Sequence, residues 1–169
     1  MVGKSIGQGR IRRGLEDAWR FIILTPLAAL LIGVLIILFR HPLIAAFAGE
    51  NALSALTVKT ALSVTVFCCL ELPFKTLGYI LLVGVLRSGG DTVQGMICDL
   101  GSFFLVGLPF TWAAVHWLHL PFVAVVAVAY LSEDVVKALL CLIYFLSKKW
   151  IKPVTPEGIA GLEAYKKQL

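Results

Sequence analysis

Seven residues, Leu86-Arg87-Ser88-Gly89-Gly90-Asp91-Thr92, separate two apolar stretches that are each long enough to cross a bilayer. A connection this short makes the flanking helices antiparallel neighbours, so it fixes a hairpin. Arg87 closes the first helix, where a cation suits the carbonyl end of the helix dipole. Gly89 and Gly90 can take positive φ to end that helix. Asp91 or Thr92 can cap the next one.

Composition agrees with a membrane chain. The protein is 59% hydrophobic and 15% charged, with a mean hydropathy of +0.91. Soluble domains run at roughly 45–50% apolar and about 25% charged. The net charge of +5 does not point to nucleic acid, because most of the cations flank the apolar segments. No secretory signal is visible: the first apolar run begins near Phe21, is span-length and lacks an Ala-x-Ala exit.

The expected fold is an all-α membrane protein with four transmembrane helices in one bundle. Residues 1–20 read as a basic loop. Span one is 21–39, nineteen uncharged residues or about 28 Å of helix, with Pro26 near its start. A mixed connector follows, with a short interfacial helix around Pro42–Phe47. Span two is 60–86, span three 95–118 with Pro109 near its middle, and span four 121–146. Together 21–146 form the membrane domain, and 147–169 is a Lys-rich tail.

Orientation follows from Lys and Arg near the span ends. One side carries Lys4, Arg10, Arg12, Arg13, Arg20, Arg87, Lys148, Lys149, Lys152, Lys166 and Lys167, while the other carries Arg40 and Lys59. That split makes the face with both termini cytoplasmic and the chain a multi-pass protein of the plasma (inner) membrane. Trp19, Trp117 and Trp150 stand at span ends, where amphipathic rings favour the headgroup zone.

Six ionisable residues fall inside the spans: Glu71, Lys75, Asp99, Glu133, Asp134 and Lys137. Unpaired, each costs about 2.5–3.5 kcal/mol at a helix centre, together on the order of 15–20 kcal/mol. They must pair, face an aqueous cavity or be partly neutral. Glu71 and Lys75 are four apart, as are Glu133 and Lys137, so each acid precedes its cation on one helix face. Both pairs fall near the midplane; Asp99 falls about 10 Å from its span's centre. Pro73, inside the first pair, can kink or unwind the helix. Broken helices beside mid-depth charges are a recurrent transporter device. A structural ion-pair network fits the same residues.

No enzyme chemistry is expected, and no catalytic residue, cofactor or metal centre. Cys68, Cys69, Cys98 and Cys141 all lie in apolar segments and read as small buried hydrophobes. His116 and His119 flank Trp117 at the end of span three and read as interfacial. Gly3, Gly7 and Gly9 have neither the preceding strand nor the Lys spacing of a phosphate loop.

The segments together resemble the multidrug and toxic compound extrusion (MATE) family of cation-coupled efflux transporters. Val2-Gly3-Lys4-Ser5-Ile6-Gly7-Gln8-Gly9, with Ala18 beyond it, is similar to that family's GxxxGxG loop. Gly84-Val85-Leu86-Arg87-Ser88-Gly89-Gly90-Asp91-Thr92 is similar to its GxLRGxGDT turn, including Arg87, Gly89, Gly90 and Asp91. Gly107-Leu108-Pro109, Ser132–Lys137 and Ser147–Ile151 resemble its later spans and exit.

The resemblance implies four of the twelve helices of a two-lobed transporter, spans nine to twelve. Met1 then falls inside the loop before span nine. The expected partners are the lipid bilayer, the missing N-terminal portion and small organic cations, with no nucleic acid. The coupling ion is Na+ or H+. Glu71 is the carboxylate available in the span matching the family's tenth, with Lys75 beside it as a competitor, so Na+ at Glu71 is one implied site. Without the first lobe the segment is expected to be inactive alone. A lipid-linked glycan flippase of the same superfamily and a non-transporting four-span scaffold remain as other readings.

Overall fold

In the computed structural model the described residues are 1–51 and 54–167; the side chains of 48–51 are not described. Helix is the only regular structure among them: α1 Val2–Gly7, α2 Ile11–Asn51, α3 Ala55–Tyr79, α4 Thr92–Ser102, α5 Leu108–His116, α6 Phe122–Leu146 and α7 Pro156–Lys166. Two π-helical segments join them. Ile80–Leu86 continues α3, and Phe103–Gly107 links α4 to α5.

Among the described residues three helical stretches have the length and apolarity to cross a membrane: Ile11–Phe47, Ala55–Leu86 and Thr92–His116. The fourth, α6, is about 37 Å long at 1.5 Å per residue and holds Glu133, Asp134 and Lys137 at its middle. Large apolar side chains stand outward along the bundle, such as Leu31 at 59% and Leu38 at 68% exposure on α2. A surface like this suits lipid as solvent.

The helices outrun the apolar runs. The span expected at 21–39 is the middle of a 41-residue helix, because Pro26 and Pro42 are both absorbed within α2 and the basic residues before Phe21 are helical. Residues 1–20 are therefore not a loop. Ile11, Gly14, Ala18, Ile22, Ala29 and Gly33 make one buried stripe on α2 at helical period. α3 packs between α2 and α6. It starts at Ala55, five residues before the expected Thr60, because Ser54 caps it by accepting from the Thr57 N–H at 3.2 Å. The connector's expected short helix is part of α2, and the connector residues 52–53 lie outside the described residues.

Pro73 was expected to kink or unwind α3, yet the helix keeps its α pattern through that position. Proline removes the partner of the carbonyl four residues back, that of Cys69. That carbonyl faces Gly33, where an added Cβ would lie 3.0 Å from its oxygen. Thr76 Oγ1 donates back to the Leu72 and Pro73 carbonyls at 2.9 and 3.0 Å. The departure from α geometry comes at Ile80 instead. In the third span the π segment ends directly before Leu108-Pro109. A change of hydrogen-bond register there accommodates the donor that Pro109 lacks.

The largest buried cluster lies at the end where the termini meet. Val2, Ile6, Ile11, Leu81, Leu86, Phe145, Trp150 and Ile151 belong to it. Trp150 is fully buried, against the expectation of a headgroup position, whereas Trp117 is 74% exposed. The supposed tail carries α7, capped by Thr155, whose hydroxyl accepts from Gly158 N–H and donates to the Gly7 carbonyl at 2.5 Å. The glycines of the opening loop serve packing: a Cβ on Gly3 would lie 2.9 Å from the Ser88 carbonyl, and one on Gly9, at φ +75°, 2.6 Å from the Glu157 carbonyl.

Candidate functional site

The six charged residues of the spans converge where α3, α4 and α6 meet. Lys137 is the centre. Its Nζ lies 2.8 Å from Glu133 Oε1, 2.9 Å from Asp99 Oδ1 and 3.7 Å from Asp134 Oδ1. Both intrahelical pairs form as expected, with Lys75 Nζ 3.2 Å from Glu71 Oε1. Asp99, expected nearer one membrane face, reaches across from α4 and joins Lys137. Glu71 in turn adjoins Asp134, linking the two halves through a pair of carboxyls.

Burial grades across the cluster. The Glu71 and Asp134 side chains are 4% and 8% exposed, while Lys75 and Asp99 are about half exposed, at 53% and 48%. Beside them is a cavity of about 190 Å³ lined by Lys75, Gly78, Tyr79, Asp99, Asp134 and Lys137. Gly78 sits against the Lys137 methylenes, 3.5 Å from where its own Cβ would be. Gly107, at the end of the second π segment, meets the Glu133 side chain at 3.3 Å in the same way. Both spans thus leave α geometry next to these charges, a placement common at functional sites.

Tyr130 was not foreseen. Its ring lies under Lys75, 5.1 Å from Nζ to centroid. The signal was present, since Tyr130, Asp134 and Lys137 fall at i, i+4 and i+7 on α6. The four carboxyls outnumber the two ammoniums. This leaves a net negative charge among the oxygens of the cluster.

The Leu86–Thr92 turn is a second centre, built differently from expectation. Gly90 does take positive φ, +98°, but Gly89 does not. Gly89 is required by contact: any Cβ would run into the Trp150 ring and carbonyl. Asp91 occupies the N-cap position of α4, with the Gln94 N–H facing its carboxylate. That carboxylate also accepts from the Tyr144 hydroxyl and pairs with Lys152 Nζ at 2.7 Å. Lys152 N–H also donates to the Gly89 carbonyl at 2.8 Å. Arg87 is exposed and takes no part in this lock.

Burial alone would raise the Asp91 carboxyl, but Lys152, Tyr144 and the Gln94 N–H outweigh it and hold it below its ordinary 3.8. A depressed folded value means that Asp91 stabilises the fold fully above pH 3.8 and stops doing so as pH falls through the lower folded value. Asp91→Asn should therefore cost about 2 kcal/mol at neutral pH. Its melting curve should approach that of the unaltered chain as the sample is acidified below about pH 3.9. Parallel curves at every pH would remove the lock from the account.

His116 stacks on Trp112 at 4.9 Å, at the opposite end of the bundle from Trp150, and stays out of the charge cluster. All four cysteines are free, three of them buried.

Comparison with known proteins agrees with this architecture. A probable multidrug resistance protein NorM of Thermotoga maritima is 26% identical over 160 residues, covering 90% of this chain and 32% of its own length. The chain thus spans about a third of that relative. No solved structure matches. The MatE family model matches residues 1–113, across the opening loop, the first hairpin and most of the third span. By that match the chain belongs to the MatE family of multi-span membrane proteins.

Proposed function

We propose that this chain is a segment of a cation-coupled multidrug antiporter that exports small organic cations by alternating access. The observation that carries the reading is the mid-span cluster: four carboxyls and two ammoniums beside a cavity of about 190 Å³, between three helices, two of them locally π-helical. The NorM relative's name supports multidrug efflux as the activity. The coupling ion, Na+ or H+, is bound among Glu71 and its neighbours, and Lys75 and Lys137 compete for the same oxygens. The segment supplies the last four spans, with both termini cytoplasmic in the inner membrane, and is inactive without the remaining spans. The excess of carboxyls disfavours a flippase for anionic lipid carriers, and a charge-lined cavity between the spans disfavours a pure scaffold.

The test is a chimera in which this chain replaces the last four spans of a full-length MatE relative. Glu71→Gln should lower ion-driven ethidium efflux roughly ten-fold, the scale of an ordinary coupling free energy. Unchanged efflux with unchanged ion dependence would make Glu71 structural.

A further inference from the structure

At the end of α6 the chain turns through Ser147–Lys149 and returns as α7. Between them lies a cavity of about 500 Å³, lined by Lys148, Lys149, Lys152, Lys166, Ser147 and Tyr165 among others, with no acidic side chain in its wall. Lys152 is committed to Asp91. Lys148 is held over the Tyr165 ring at 5.6 Å, with its Nζ 3.3 Å from the phenol oxygen. Among the described residues no carboxylate stands within ion-pair distance of Lys148, Lys149 or Lys166. Three ammoniums with no ion-pair partner among the described residues therefore face one concavity.

Its level matters as much as its charge. The lysines begin two residues beyond Leu146, the last residue of α6. Just below them Ile143 and Leu146 stand 65% and 55% exposed. Exposed apolar side chains therefore stand within one helical turn of Ser147 in the wall of the cationic pocket, and the two together match the two halves of a phospholipid. We propose that this cavity binds the phosphate headgroup of an anionic phospholipid, its acyl chains lying along Ile143 and Leu146. Free phosphate would use the lysines but not the track. The site is separate from the mid-span cluster and stands whether or not that cluster carries transport.

The full chain, in mixed micelles of equal phosphatidylglycerol and phosphatidylcholine, is examined by native mass spectrometry. Phosphatidylglycerol should be retained preferentially. Lys149→Ala with Lys166→Ala should weaken that retention about twenty-five-fold, at about five-fold for each lysine near an anionic surface. The paired Lys→Arg variant should keep it, and Lys59→Ala, at the far end of α3, should leave it unchanged. Equal retention of both lipids by the unaltered chain, an indifferent alanine pair, or full displacement by inorganic phosphate at matching concentration would each overturn the assignment.

Discussion

Lys137→Met should destabilise the bundle by about 3–5 kcal/mol, because it strips the shared cation from three carboxylates and leaves them uncompensated at membrane depth. Lys137 Nζ holds Asp99, Glu133 and Asp134 together from two helices, and its side chain is only 15% exposed. Its methylenes also fill the space against Gly78, so methionine keeps most of the packing and isolates the charge. The check is unfolding in mixed micelles, followed by circular dichroism. Adding Glu133→Gln to Lys137→Met should return part of the loss, since it removes one of the stranded charges. Such recovery is the mark of a coupled pair. If Lys137→Met unfolds with the unaltered chain, the cluster does not brace the helices, and its role lies wholly in what enters the cavity.

The same cluster divides what the sequence discloses from what it hides. The pairs Glu71–Lys75 and Glu133–Lys137 were legible because helical period is a local property, and four residues on one helix are one turn whatever surrounds them. The contact of Asp99 with Lys137 was not, because it depends on the register of α4 against α6, which no spacing within either helix encodes. Pro73 and Pro109 marked trouble for the backbone, but not its form. At Pro73 the freed carbonyl is accommodated at Gly33 on another helix, while at Pro109 the preceding π segment takes up the change.

Apolar spans and the short hairpin were visible from composition and length alone. Their ends were not, since α2 carries its helix through Arg12–Arg20, where Ile11, Gly14 and Ala18 pack inward, and past Pro42, where its side chains are mostly exposed. Likewise Asp91 and Lys152 lie 61 positions apart, and only the return of the chain after α6 brings them within 2.7 Å.

Trp150 shows the limit most sharply, and it yields the other large expected effect. By sequence Trp150 and Trp117 are equivalent rings at span ends. In the fold Trp150 is completely buried, stacked on Phe145 at 5.5 Å, with its indole N–H donating to the Phe145 carbonyl at 3.1 Å. The backbone of Gly89 lies directly on its ring, so Trp150 joins the Leu86–Thr92 turn to the exit of α6. Trp150→Ala should cost about 3–5 kcal/mol, the range for emptying a large aromatic site that cannot collapse. Trp117→Ala, at a ring that is 74% exposed, should cost less than about 1 kcal/mol. Hydrogen exchange locates the damage: in Trp150→Ala the amides of α1, the Leu86–Thr92 turn and α7 should lose protection together, because Gly3 packs on Ser88 and Thr155 on Gly7. Similar melting of the two variants would mean that burial at this end does not set stability. A loss confined to Ser147–Ile151 would mean that the opening loop and the turn hold each other without the ring. A joint loss would make the turn the fastening point of both termini, which a hairpin alone does not require.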